Sequence, residues 1–304
     1  MQTTSHILMI RPVAFEYNAE TAVNNAFQVP STDRDIEQKA LKEFDDFVAV
    51  LRANGIDVTV TEDTPEPHTP DSIFPNNWVS FHEDGTLLLY PMFAENRRAE
   101  RKAHVLDRIR QQFSINKEID LSSFEKNHQF LEGTGSMVLD RDNKIAYACL
   151  SPRTHETVLL AFGETMGYTP VVFDATDSTG QPIYHTNVMM CVADRYIVIC
   201  LDSVKYPAQR EGLVKTMTQS GKTIIPITLA QMNHFAGNML QVENKDGEKL
   251  LVMSSQAFAS LTPEQVKTLE VFNRIIHAPL TTIETNGGGS ARCMMAEVHL
   301  PLLA

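Results

Sequence analysis

The sequence predicts an α/β fold of five pseudo-symmetric ββαβ units arranged around one axis, with residues 1–304 as a single domain. Two observations carry this expectation. A small polar residue opens an apolar run at Asn77, Gly135, Asn187, Asn238 and Ser290, with starts 58, 52, 51 and 52 residues apart. Most of these runs pass through a turn into a second apolar run, then into helical periodicity and a closing strand. A unit of about fifty residues cannot bury its own apolar face, so near-equal repeats imply packing around a common axis.

The elements follow in order. The first opening run, 77–81, turns at Glu83-Asp84-Gly85 into 86–90. The second, 135–139, turns at Asp140-Arg141-Asp142-Asn143 into 145–149. Runs 187–191 and 238–242 turn at Ala193-Asp194-Arg195 and Asn244-Lys245-Asp246-Gly247 into 196–200 and 250–253. Such turns between apolar alternations read as hairpins. Helical periodicity follows over 99–113, 154–166, 209–220 and 263–276, the last opened by Thr262-Pro263, an N-cap with proline at the first helical position. Residues 169–173 and 223–227 read as closing strands. The fifth run, 290–294, follows Gly287-Gly288-Gly289 and contains Cys293.

Composition narrows the function. The 304 residues are 43% hydrophobic and 21% charged, as expected of a globular chain with a sizeable core. Lys and Arg number 26 against 38 Asp and Glu, a net charge of -12, so nucleic acid gains no general attraction and is not expected as a partner. Residues 1–15 carry no basic and apolar leader pattern, and no apolar run reaches membrane-spanning length, so a cytoplasmic protein without membrane contact is expected. The cysteines at 149, 191, 200 and 293 form no CxxC pair, which argues against a zinc cluster and a disulfide framework. In the glycine run, Ala291 stands where a phosphate loop would carry lysine, so no nucleotide is implied. Neither metal nor cofactor is expected, and homodimer formation stays open.

Several candidates for chemistry lie at corresponding places in different units. Glu132 precedes Gly133-Thr134-Gly135-Ser136, His185 precedes Thr186-Asn187, and Cys293 ends the glycine loop. Asp71, Phe74 and Asn77 lie in Asp71-Ser72-Ile73-Phe74-Pro75-Asn76-Asn77. Each has an ordinary reading: a solvated turn carboxylate, a structural histidine, a packed thiol. Together they would face one cavity at the axis, because residues at equivalent places in a ring converge. The glycines let the backbone approach a ligand closely and present the thiol rather than bury it.

From Phe74-Pro75-Asn76-Asn77-Trp78 to Gly287-Gly288-Gly289-Ser290-Ala291-Arg292-Cys293-Met294 the chain resembles the pentein superfamily, guanidino-group-modifying enzymes that include arginine deiminase, dimethylarginine dimethylaminohydrolase, agmatine deiminase and the amidinotransferases. Within it the chain is most similar to the bacterial amidinotransferase-related group proposed to hydrolyse citrulline. The resemblance implies a five-bladed α/β propeller, a nucleophile at Cys293, a general acid/base at His185 and a charged helper at Glu132. That chemistry needs these residue types. A guanidinium or ureido carbon is deactivated by resonance, and a thiolate that forms a covalent intermediate divides the reaction into two easier steps. An imidazole near neutral pKa serves protonation in one step and deprotonation in the other. A carboxylate stabilises positive charge on the histidine or the substrate, and backbone N–H groups of 287–289 could meet developing negative charge.

The chain departs from the arginine deiminase-like motifs at two places. Phe-Thr-Arg-Asp becomes Phe74-Pro75-Asn76-Asn77, and His-Leu-Asp becomes His185-Thr186-Asn187. Guanidinium burial without matching carboxylates costs several kcal/mol, whereas a carboxamide suits a neutral ureido group. The expected substrate is therefore a ureido or guanidino amino acid, citrulline favoured, giving ornithine and ammonia. Asp71 remains as an anion, and related dihydrolases carry Asn at the first motif yet accept arginine, so arginine deiminase, dihydrolase or dimethylarginine dimethylaminohydrolase activity is the alternative. An amidinotransferase is another; a non-enzymatic binding protein on this fold would not need the Cys, His and Glu. Arg153 and Arg292 are the favoured clamps for a substrate carboxylate, ahead of Arg11, Arg97 and Arg98.

Overall fold

The computed structural model describes residues 1–31 and 34–303 and is a mixed α/β fold with five three-stranded sheets of one design. In each sheet a middle strand pairs antiparallel with the strand that opens the unit and parallel with the strand that closes it. A parallel neighbour demands a crossover, and in every unit a helix supplies it.

In chain order, β1 (His6–Arg11) is followed by helix Ile36–Ala53 and β2 (Asp57–Glu62). The next unit is β3 (Val79–Phe81), β4 (Thr86–Leu89), helix Ala103–Arg110 and β5 (Lys117–Asp120). Then come β6 (Val138–Asp140), β7 (Ile145–Cys149), helix Glu156–Met166 and β8 (Thr169–Phe173). The fourth sheet has β9 (Met190–Val192), β10 (Tyr196–Ile199), helix Pro207–Gln219 and β11 (Thr223–Pro226). The fifth has β12 (Leu240–Glu243), β13 (Lys249–Ser254), helix Pro263–Glu270 and β14 (Arg274–Ala278). Finally β15 (Ala296–Glu297) pairs antiparallel with β1, Ile7 opposite Glu297, and so opens the unit that the first residues of the chain continue.

The structure revises several expected elements. The polar residues of the repeat lie in tight turns ahead of the strands: Pro75–Asn77 is a 3-10 turn, and Gly133–Ser136 and Thr186–Met189 are single helical turns. Glycine, asparagine and proline are weak strand formers, so the strand starts only where the β-branched and apolar residues begin. Residues 290–294 form no strand either; β15 begins later. The helix expected over 263–276 stops at Glu270, where the Asn273 side chain donates to the Leu269 carbonyl, and Ile275 and Ile276 enter β14. Helix Ile36–Ala53, which the sequence reading left out, buries Ala40, Phe44, Phe47, Val48 and Leu51, one face at helical spacing.

These turns place the site. The turn Gly133–Ser136 packs against both Pro75–Asn77 and Thr186–Met189, while β15 touches β3, β6 touches β9 and β9 touches β12. Apolar strand residues form the cores between the sheets and helices, and the polar turns are left to meet one another.

Candidate active site

The close approach of the turns depends on Gly135. A Cβ there would lie 2.4 Å from Asn77 Nδ2 and 2.8 Å from His185 Nδ1, distances no side chain tolerates. Glycine thus lets the first two polar turns sit directly beside His185. Glu132, just before this turn, is fully buried, and His185 is 2% exposed. His185 Nε2 lies 2.7 Å from Glu132 Oε2. A carboxylate only accepts, so Nε2 carries the hydrogen and Nδ1 is left with its lone pair.

Electrostatics fixes the charge states of this pair. Burial opposes the Glu132 anion, but Arg153, the His185 hydrogen bond and Arg97 outweigh it and hold the carboxyl at about 2. Arg153 Nη1 and Arg97 Nη1 are 3.6 and 3.9 Å from Glu132 Oε2, and the Phe93 N–H donates to Oε1 at 3.0 Å. Burial, with Arg153 and Arg97 nearby, depresses His185 to about 4 despite its carboxylate partner. The resting imidazole is neutral.

Arg97 braces the first turn. Its guanidinium donates to both carboxylate oxygens of Glu100, at 2.8 and 3.0 Å, and its Nη1 donates to Asn77 Oδ1 at 2.8 Å. Bidentate pairing of this kind fixes a planar group. Asn77 Nδ2 in turn donates to Asn76 Oδ1, so most of its carboxamide is already engaged. Asp71 accepts at Oδ2 from Asn18 and Thr21, while its Oδ1 is buried without a partner.

Cys293 is buried, at 4% exposure, which corrects the expectation of a presented thiol. The glycine loop folds over it: a Cβ on Gly289 would stand 2.8 Å from the Phe74 ring, so the loop and Phe74 share a space only glycine leaves free. Two carboxamides reach the sulfur. Asn187 Nδ2 is 3.5 Å and Asn238 Nδ2 3.3 Å from Sγ. Asn187 Oδ1 is buried and unpartnered.

Cys293, His185, Asp71, Phe74, Asn77 and Arg153 line one small cavity, with Arg97, Tyr184, Asn25 and the three glycines. Glu132 stands behind His185 rather than on the wall, and Asn187 approaches the sulfur from outside the lining. Arg292 does not face the cavity. Its guanidinium donates to Glu297 Oε2 at 2.8 Å and to the Met295 carbonyl, so as a carboxylate clamp it is spent elsewhere. Arg153 stays at the wall, stacked over Tyr184 with 4.8 Å from its guanidinium carbon to the ring centre, and donates to Asn24 and the Thr21 carbonyl. Sequence reasoning missed Asn238 and Tyr184. The signal for Asn238 was present, since it opens the fourth repeated run as Asn77 and Asn187 open theirs.

A buried thiol, a neutral imidazole with one free nitrogen and an ionised carboxylate behind it are the parts a nucleophilic cysteine site uses, and the chain is a member of the pentein superfamily. The chain belongs to the family described as "N,N dimethylarginine dimethylhydrolase, eukaryotic", whose model matches residues 11–300. No curated protein sequence matches it. Among solved structures, ArgZ, an arginine dihydrolase from the ornithine-ammonia cycle in cyanobacteria, is similar with a TM-score of 0.76 and 15% identity over 98% of this chain. This chain spans only 41% of that enzyme. The N-terminal domain of ArgZ bound to substrate has a TM-score of 0.76 and 16% identity, over 98% of this chain and 99% of the domain. A variant dimethylarginine dimethylaminohydrolase, captured as an adduct with S-methyl-L-thiocitrulline, has a TM-score of 0.63 and 15% identity, over 97% of this chain and 99% of its own. No helix among the described residues is long and apolar enough to cross a membrane.

Proposed function

We propose that the chain hydrolyses the terminal C–N bonds of a ureido amino acid, citrulline, through a covalent intermediate on Cys293. The carrying observation is the carboxamide of Asn187 at the thiol, its Oδ1 buried and unpartnered where the deiminase-like motif has aspartate. That oxygen accepts an N–H of a neutral ureido group without the charge balance a guanidinium demands. His185 Nδ1 takes the thiol proton as sulfur attacks the ureido carbon, then gives it to the departing nitrogen. Water next attacks the thiocarbamate carbon, losing its proton to His185; the C–S bond breaks as that proton returns to sulfur, the carbamic acid released breaks down to the second amine and carbon dioxide, and Glu132 steadies the imidazolium in both halves. One citrulline and one water yield ornithine, ammonia and carbon dioxide.

The domain reading is that residues 1–304 form one catalytic unit whose five sheets close as blades around this cavity. Contacts of β15 with β3, β6 with β9 and β9 with β12 support it. Arg153 and Asp71 are the residues that receive the amino-acid end of the substrate, and a small molecule is the only partner the site calls for.

A second reading has its own observation. Asp71 Oδ1 is a buried carboxylate oxygen without a partner, and the family match favours a guanidino substrate such as arginine or a methylated arginine. Purified protein incubated separately with citrulline, arginine, agmatine and methylated arginines, with ornithine, citrulline and ammonia scored, separates the two. Ornithine and ammonia from citrulline at the highest kcat/KM is the expected result. Efficient turnover of arginine with citrulline ignored would move the assignment to the guanidino reading.

A further inference from the structure

We infer that Asn238 is a catalytic residue that holds the Cys293 sulfur as a thiolate, acting with Asn187 as a pair of neutral N–H donors from two different units. The inference rests on Cys293 being the nucleophile. Asn238 is fully buried in the turn ahead of β12, 55 residues before the cysteine. Its carboxamide cannot flip, because both ends are fixed by backbone groups. The Arg292 N–H donates to Oδ1 at 3.1 Å, and Nδ2 donates to the Asn187 carbonyl at 2.9 Å. The oxygen and nitrogen are therefore assigned by their partners, and the remaining Nδ2 hydrogen is free for Sγ, 3.3 Å away.

This arrangement serves both protonation states. As a thiol, sulfur can donate to Asn238 Oδ1 at 3.6 Å. As a thiolate it becomes purely an acceptor and meets two N–H groups, from Asn238 at 3.3 Å and Asn187 at 3.5 Å. Among the described residues no cationic side chain hydrogen-bonds this sulfur. Neutral donors fixed in advance favour the anion without reorganisation, and they do so gently. That matters because a thiolate held too firmly loses nucleophilicity. Asn238 also grips the N–H of the residue just before the nucleophile, so one side chain sets both the place and the charge of the sulfur.

The test reads the thiol alone and needs no substrate. Alkylation of Cys293 by iodoacetamide is followed against pH in the whole chain by mass spectrometry, for the unmutated protein and for Asn238→Asp, Asn238→Ala and Asn238→Ser. Asn238→Asp keeps the acceptor for the Arg292 N–H but removes the donor. The pH of half-maximal alkylation is expected to rise by about one unit in Asn238→Asp and Asn238→Ala, about tenfold slower reaction at neutral pH. Asn238→Ser returns a hydroxyl donor and recovers part of that shift, which lost packing alone would not do. An unmoved half-maximal pH in Asn238→Asp or Asn238→Ala, with cooperative unfolding retained, overturns the inference. If the unmutated protein is alkylated at another cysteine in preference, the nucleophile reading falls with it. A failure to turn over citrulline bears on the substrate and leaves this test standing.

Discussion

His185 Nε2 and Glu132 Oε2 stand 2.7 Å apart, both fully enclosed, yet the histidine is neutral and the glutamate charged. The proximity of an anion would ordinarily raise an imidazole. Burial of the ring is the main reason it stays neutral, and two buried guanidiniums, Arg97 and Arg153, add to it by offsetting the carboxylate, which orients the ring without protonating it.

That relationship makes stability depend on pH in a definite direction. His185 titrates at about 4 when folded and near 6.5 when unfolded, so its contribution is present above about 6.5 and is lost as pH falls toward 4. The stability difference between the unmutated protein and His185→Gln should shrink by up to about 3 kcal/mol over that interval. Urea titrations of both proteins between these limits measure it; a difference that is constant or grows on acidification contradicts the neutral assignment.

Cys293→Ser should lower kcat by about a thousandfold or more with the melting temperature nearly unchanged, because a hydroxyl ionises far less readily than a thiol. The other thiols behave differently. Burial pushes Cys149 and Cys191 up to about 12, and neither lines the cavity. Their replacement by Ala should cost stability of roughly 1–3 kcal/mol and leave kcat close to normal. Steady-state kinetics beside calorimetry tells the cases apart.

Substrate preference should turn on Asn187 more than on Asn77. Asn187→Asp puts an anion at the free acceptor beside Cys293 and should shift preference from citrulline toward arginine by about ten- to a hundredfold in kcat/KM. Asn77→Asp should do less, since Arg97 donates to that oxygen and would claim the new charge. Relative kcat/KM values for the two substrates decide it; an equal or larger shift from Asn77→Asp would show that the reading of these turns is reversed.

The repeat was legible because strand-turn-strand patterns and their spacing are local properties: four of the five runs lead into the opening strand of a sheet, and the fifth is followed by β15 a little later. Glu132, His185 and Cys293 were legible for the same reason: equivalent turns carry them. What the sequence concealed depends on which partner each side chain takes once the chain is folded. Arg292 next to the nucleophile looked like a substrate clamp, but Glu297, five residues on, captures its guanidinium. Asn77 looked free to read a substrate, but a buried Arg97 held by Glu100 occupies it. The overlong helix at 263–276 failed because helical spacing and a buried strand both tolerate Ile275 and Ile276.

The pairing of β1 with β15 has a consequence for how the molecule comes into being. Ile7 meets Glu297 and Leu8 meets Ala296, so the sheet next to Cys293 is stitched from segments almost the whole chain apart. Closing so long a loop is slow and entropically costly. During synthesis β1 can pair with β2 early, but its other edge waits until residues 296–297 leave the ribosome. The thiol and its neighbouring strand thus arrive together, after the other strands described. A fragment ending before residue 290 would lack both Cys293 and the strand that completes the sheet of β1, so the sulfur and the sheet edge beside it are gained in one step.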